Sequence, residues 1–125
     1  IDTAAGVVAR RHTRNNAVTA SIDRLDFHHP VYVGDLLTLR ASINLVGKTS
    51  LEIGVRAEAE DLITGKIRHT ASAYLTFVAL SSNGRPVEVP RLMLETEEEI
   101  RRNREACDRR DLRLAEKRKE KAHQG

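Results

Sequence analysis

Residues 51–60 read LEIGVRAEAE, and their alternation decides the fold. Leu51, Ile53, Val55, Ala57 and Ala59 fall on one side of an extended chain, with Glu52, Arg56, Glu58 and Glu60 on the other. Successive side chains of a strand point to opposite faces, so this pattern is a strand with one buried face. Such a strand is stable only within a sheet whose apolar side is covered. The flanking sequence supplies its neighbours. Upstream, Leu37, Leu39, Ala41, Ile43 and Leu45 alternate with Thr38, Arg40, Ser42 and Asn44, and VGKTS (46–50) forms the short join. Downstream, residues 62–66 carry a Thr-Gly turn, and a strand over 67–80 places Ala71, Ala73, Leu75, Phe77 and Ala79 on one face.

Further out, Val18, Ala20 and Ile22 alternate with Thr19, Ser21 and Asp23. The phase then slips to Leu25 and Phe27, which predicts a bulge or bend. HHPVYVGD (28–35) is a turn segment punctuated by Pro30 and Gly34. Long strands with tight connections predict an antiparallel sheet. The element available to cover it is IDTAAGVVARRH (1–12). Its apolar residues surround most of a helix over 1–13, which predicts burial for most of its length, with Thr13 to Asn16 as the break. Ala4, Ala5, Gly6 and Ala9 are small enough for another backbone to come close. The fold class is therefore α+β: a long antiparallel sheet wrapped around one buried helix. The other face of the sheet is solvated or packs on a second subunit.

From Thr96 the regime changes. Thr96 and Glu99 have capping-box spacing, and a highly charged helix over about 96–121 follows, with frayed ends at 121–125. Ile100, Cys107 and Leu114 fall at heptad spacing, but one sparse seam is weaker than the pattern of a solvated helix with i,i+4 ion pairs.

A chain of 125 residues suits one domain with a core. It opens at Ile1 inside a helical pattern, which predicts a preceding strand and turn upstream. No apolar run approaches the roughly 20 residues of a membrane span, and no signal-peptide pattern is present. A single cysteine, Cys107, fits a reducing compartment, so the expected location is cytoplasmic. Net charge is +3, yet residues 95–121 hold ten Lys/Arg against nine Asp/Glu, and aromatics are 3%. Nucleic-acid binding calls for a one-sign patch with stacking aromatics, so it is disfavoured. An anionic small ligand is not.

No zinc spacing, nucleophile elbow or dinucleotide fingerprint occurs, and no metal site is expected. GKTS (47–50) lacks the earlier glycine of a phosphate-binding loop and joins two strands, so it reads as a hairpin turn. Histidine is the residue type suited to acid–base work near neutral pH, and among His12, His28, His29 and His69 the His28–His29 pair beside Pro30 is the one to watch. Asp2 has two readings from residue type alone. It is a helix cap, or it is a general base or nucleophile at the end of a buried helix.

In register, IDTAAGVVARRH, VTASIDRLDFHHPVYVGDLLTLRASI, VGKTSLEIGVRAEAED, HTASAYLTFVAL and NGRPVEVPRL resemble the hotdog-fold acyl-CoA thioesterases. The branch is that of bacterial acyl-CoA hydrolases related to mammalian cytosolic ones. The resemblance covers residues 1–94, the thioesterase domain, with 95–125 as a charged helical extension. It implies dimers with sheets joined edge to edge, sites at the subunit interface, and assembly into hexamers as trimers of dimers. It implies hydrolysis of an acyl-CoA thioester to CoA and a carboxylic acid, with Asp2 as the catalytic acid. Lys48, Thr49, Ser50, Arg85 and Arg91 are the implied CoA-binding residues. No cofactor is implied, since CoA is part of the substrate. Some members contribute a second polar residue, such as Asn, from a glycine-containing segment before the helix, which is not among these 125 residues. Two alternatives are another hotdog activity, such as an enoyl-thioester hydratase, and a non-catalytic acyl-CoA binding module. For the hydratase, His12 lies too far from Asp2 to share a helix face.

Overall fold

In the computed structural model, which describes residues 1–124 and side chains as far as Glu120, helix α1 spans Asp2–Thr13. Strands β1 (Asn16–Phe27), β2 (Leu36–Val46), β3 (Ser50–Glu60) and β4 (Ile67–Leu80) follow, then helix α2 (Glu97–Gln124). The strands form one antiparallel sheet in the order β1-β4-β3-β2. Two hairpins join β2 to β3 and β3 to β4, whereas residues 28–35 carry the chain from one edge of the sheet to the other. Ile1–Leu92 form one compact unit and Met93–Gly125 a second.

The turns follow from their chemistry. The Gly47 N–H donates to the Ser50 carbonyl at 2.8 Å, closing the β2–β3 hairpin. In the β3–β4 turn Gly65 takes φ +73°, which glycine adopts without strain. Asp61 accepts hydrogen bonds there from the Ile63 and Thr64 N–H groups at 2.8 and 3.2 Å. Those two bonds, Ile63 first, hold its carboxyl below the usual value.

The core lies between α1 and the sheet. Ala5 and Ala9 of the helix meet Ala17, Leu51, Ile53, Val55, Ala73, Leu75, Phe77 and Ala79, with Val89 closing one end. Every inward position expected on β3 and from Ala71 onward on β4 is buried. Two strands depart from simple alternation. Bulges between Thr19 and Ser21 and between Ile22 and Arg24 reset β1 twice. Ala17 and Thr19, then Ile22, Leu25 and Phe27, lie opposite inward residues of β4, while Val18 lies opposite Val78 on the outer face. The expected shared face of Val18, Ala20 and Ile22 does not form. On β2 the register shifts between Ile43 and Leu45, so Leu45 opposes Glu52 on the outer face and Val46 takes the inward place beside Leu51. An extra residue in one strand inverts every side chain beyond it.

Helix α1 is buried along one stripe, not most of its circumference: Ala5, Gly6, Ala9 and Thr13 are buried and Val7 is 45% exposed. It contacts all four strands through that stripe. Arg14, in the left-handed conformation at φ 56°, caps its C-terminus, so the break shrinks to Arg14 and Asn15.

A Cβ placed on Gly6 would lie 3.8 Å from Phe77 Cε1, an ordinary contact. Gly6→Ala is therefore expected to stabilise the fold by about 0.5–1 kcal/mol, by helix propensity and a less free unfolded chain. A rise in Tm by calorimetry checks this, and a fall would show that close approach needs the glycine. Gly54 is the opposite case. A Cβ there would lie 2.6 Å from Asn44 Nδ2, which donates to the buried Glu52 carboxylate at 3.2 Å.

In the second unit, the Thr96 hydroxyl accepts from the Glu99 N–H and donates to the Glu99 carboxylate, both at 3.1 Å, and starts α2. Glu98 and Arg102 form an i,i+4 pair at 3.7 Å. Ile100 and Leu114 of the heptad-spaced seam are exposed. The helix runs through Gln124; the fraying expected at 121–125 falls where Gly125 and the side chains after Glu120 lie outside the described residues. No helix among the described residues is long and apolar enough to cross a membrane.

Candidate active site

Asp2 opens α1, but it is not the cap. Ile1 occupies the N-cap and makes no side-chain capping bond. The Asp2 side chain instead leaves the helix and accepts a 2.7 Å hydrogen bond on Oδ1 from the Thr19 hydroxyl of β1. The first β1 bulge follows directly on Thr19, which lies opposite Phe77 on the helix-facing side of the sheet. Asp2 is exposed and has no ion pair among the described residues. The first backbone N–H groups of a helix lack intrahelical acceptors and carry the positive end of its dipole. One corner thus combines a carboxylate, a hydroxyl that orients it, and donors suited to a developing negative charge.

Thr19 was missed by sequence reasoning, where it reads as a polar residue in an alternating strand. Its position 17 residues after Asp2 gives no local signal, because the pairing exists only once α1 folds back over β1.

The other predicted residues gather elsewhere. Lys48 and Thr49 form the β2–β3 turn, and Ser50 begins β3. The Lys48 carbonyl accepts from the Val89 N–H at 2.8 Å, and the Thr49 carbonyl from the Ala79 N–H at 3.1 Å. Arg85 closes the turn after β4, its carbonyl accepting from the Ser81 N–H at 2.8 Å, and Arg91 follows Pro90. The Pro90 carbonyl is 2.8 Å from His12 Nε2, at the far end of α1. Ten helical residues at about 1.5 Å each separate Asp2 from His12 by about 15 Å along the axis. Backbone bonding therefore collects Lys48, Thr49, Ser50 and Arg91 near the C-terminal end of α1, while Asp2 stands at its start.

His28 and His29 lie at a third place. The His28 and His69 rings are 4.6 Å apart, tilted by 44°, and His69 Nε2 is 2.7 Å from Ser72 Oγ. Phe27, His28, His29, Pro30, Val31, Thr70 and Ala71 line an open cleft of about 480 Å³. The connection forming its wall is held by Asp35. That carboxylate accepts from Arg68 at 2.7 Å and from the Tyr32 N–H at 2.9 Å, with the Arg68 guanidinium 4.9 Å from the Tyr32 ring centre. Among the described residues, no group of three His, Cys, Asp or Glu is arranged to hold a metal ion.

An antiparallel sheet curled on one central helix, with an acid at the helix start, defines a hotdog-fold domain. Residues 1–66 match the thioesterase superfamily, and this chain belongs to that family. It is 43% identical to the uncharacterized acyl-CoA thioester hydrolase YkhA of Bacillus subtilis, over 98% of this chain and 71% of that one. Among solved structures, an apo-hexameric acyl-CoA thioesterase superimposes with a TM-score of 0.89 at 37% identity, covering 92% of this chain and 74% of that one. An acyl-CoA hydrolase from Staphylococcus aureus, in complex with butyryl coenzyme A, coenzyme A and coenzyme A disulfide, superimposes with a TM-score of 0.87 at 34% identity. It covers 98% of this chain and 74% of that one. The same S. aureus protein has been solved with alanine replacing an aspartate and, separately, a threonine 17 positions later.

Proposed function

We propose that this enzyme hydrolyses acyl-CoA thioesters to CoA and a carboxylic acid, with Asp2 as the catalytic carboxylate. The observation that carries the reading is the Asp2–Thr19 bond at the start of α1. It holds one carboxylate oxygen by a neutral hydroxyl, and Oδ2 has no partner among the described residues. A carboxylate so oriented, and neutralised by no cation, is suited to accept a proton or attack a carbonyl. The 17-residue separation of aspartate and threonine, shared with the S. aureus variants, supports the same pair.

In the general-base route, Asp2 Oδ2 takes a proton from water as the water oxygen bonds to the thioester carbon. The carbonyl becomes an oxyanion facing the backbone N–H groups of the first turn of α1. Collapse breaks the C–S bond, and CoA leaves as a thiolate that recovers the proton from Asp2. In the nucleophilic route the same oxygen attacks carbon and the C–S bond breaks, so that CoA leaves as a thiolate and an anhydride remains. Water then opens the anhydride at the Asp2 carbonyl carbon, giving the carboxylic acid and the Asp2 carboxylate, and the proton released goes to the thiolate. Hydrolysis in ¹⁸O-water under single turnover tests the second route: ¹⁸O in the Asp2 side chain shows an anhydride opened at the aspartyl carbon, whereas the general-base route puts the label in the carboxylic acid alone.

Lys48, Thr49, Ser50, Arg85 and Arg91 bind the CoA portion in this reading. Lys48, Arg85 and Arg91 have no ion pair among the described residues, which leaves them available to phosphate. The chain is proposed to act as at least a homodimer, assembling further into hexamers in the cytoplasm. Supporting this, β1 is an edge strand whose inward residues Ile22, Leu25 and Phe27 are exposed, Phe27 by 78%. A hydratase using a His–Asp pair gains no support, since His12 is engaged at Pro90. Release of free thiol from CoA esters of graded length tests the assignment; binding of these esters without thiol release would replace it with a binding module. Thr19 acts through Asp2 as a positioning residue. Thr19→Val is expected to lower kcat about tenfold with little change in KM, while Thr19→Ser retains most of it.

A further inference from the structure

We infer that Arg10, Arg11 and Arg14, at the C-terminal end of α1, complete a cationic corner that recognises the phosphates of the CoA nucleotide. The inference rests on the acyl-CoA reading above, which assigned phosphate binding to the β2–β3 turn and the segment after β4. The structure joins a third element to those two. The Lys48 carbonyl holds the Val89 N–H, the next residue's carbonyl, that of Pro90, meets the His12 ring, and Arg10 and Arg14 are linked by the 2.9 Å bond that closes the helix. Asn16 pairs with Leu80, which also bridges to Pro86, so the chain after Arg14 runs beside the segment that carries Arg85.

Charge is segregated in this unit. Residues 1–92 contain eleven Lys/Arg, and six of them (Arg10, Arg11, Arg14, Lys48, Arg85 and Arg91) fall in 10–14, 48 and 85–91, which hold one carboxylate, Glu88. All six are exposed, and none has an ion pair among the described residues. Of the other five, Arg24, Arg56 and Arg68 are each paired with a carboxylate at 2.6–3.0 Å, while Arg40, within β2, and Lys66, in the β3–β4 turn, lie outside these segments. A helix dipole alone favours cations near its last turn, but it does not account for Lys48 and Arg91 converging there. A ligand bearing several phosphates supplies the missing anions, and arginine recognises phosphate bidentately.

The test compares CoA with pantetheine, which lacks the nucleotide. By calorimetry, replacing Arg10, Arg11 and Arg14 together by Gln is expected to weaken CoA binding about 30-fold or more, and to reduce its salt dependence. The Arg→Lys triple restores most of the affinity. Arg40→Gln with Lys66→Gln, which removes charge elsewhere, leaves it as in the wild type. In turnover, the preference for an acyl-CoA over the matching acyl-pantetheine narrows in the Gln triple variant. Equal losses on both esters, CoA affinity unchanged in that variant, or wild-type binding of CoA no tighter than of pantetheine would each overturn the inference. Because binding is read without turnover, failure of the hydrolase assignment is distinguishable: CoA would bind through this corner with no thiol released.

Discussion

Asp2→Asn is expected to reduce acyl-CoA turnover about a thousand-fold, the scale of losing a positioned general base or nucleophile. The amide keeps the shape of the carboxylate, and its oxygen can still accept the Thr19 hydroxyl at the position now occupied by Oδ1. It cannot take a proton from water, nor attack a thioester. Because Asp2 is exposed and Ile1, not Asp2, is the N-cap, the change in stability should be small. Removing a negative charge from a helix's first turn costs about 0.3–1 kcal/mol. Asp2→Ala should give the same loss of turnover with the oligomer intact by light scattering. The informative quantity is kcat under saturating substrate, with circular dichroism and thermal unfolding as controls. Turnover within tenfold of wild type in a folded Asp2→Asn protein would show that the carboxylate only decorates the helix start.

The second large effect is on stability. Leu75 is fully buried at the centre of β4, opposite Ile22 on one neighbouring strand and Ile53 on the other, and within the cluster that receives α1. Leu75→Ala removes most of that side chain, and its neighbours cannot close the gap. Ala5 and Ala9 on the helix and Ala73 on the strand have no longer side chains to swing inward. The expected loss is about 3–4 kcal/mol, a large part of the roughly 5–15 kcal/mol that stabilises a domain of this kind. Denaturant unfolding should show a lower midpoint at an unchanged slope. A loss below about 1 kcal/mol would mean that the core relaxes into the cavity, against the rigidity implied by so many short side chains.

Much of this is legible in the sequence. The span of β4 and the inward residues of β3 follow directly from period two, because both strands pair on each side and keep one face against the helix. The Thr96–Glu99 helix start was equally local, since its partners lie three residues apart. The edge strands depart from the pattern. On β1 and β2 an inserted residue changes which side chains face inward, and apolar residues occupy both faces, so composition does not report the phase. The burial expected around α1 also failed. The sheet of one chain covers one stripe of the helix and leaves Val7 exposed.

The order of Asp2 and Thr19 in the chain is a property of sequence, and so are the strand periodicity, the small residues of α1 and the excess of cations in a few short segments. Their meeting is not. Asp2 acquires Thr19 only because α1 folds back across β1 and a bulge sets the strand's phase. Lys48 and Arg91 are brought to the end of α1 by two long-range bonds, from Val89 to Lys48 and between His12 and Pro90. Periodicity reports which face of an element is buried, because burial repeats with the backbone. A site of residues from separate elements has no period, so only the tertiary structure assembles it.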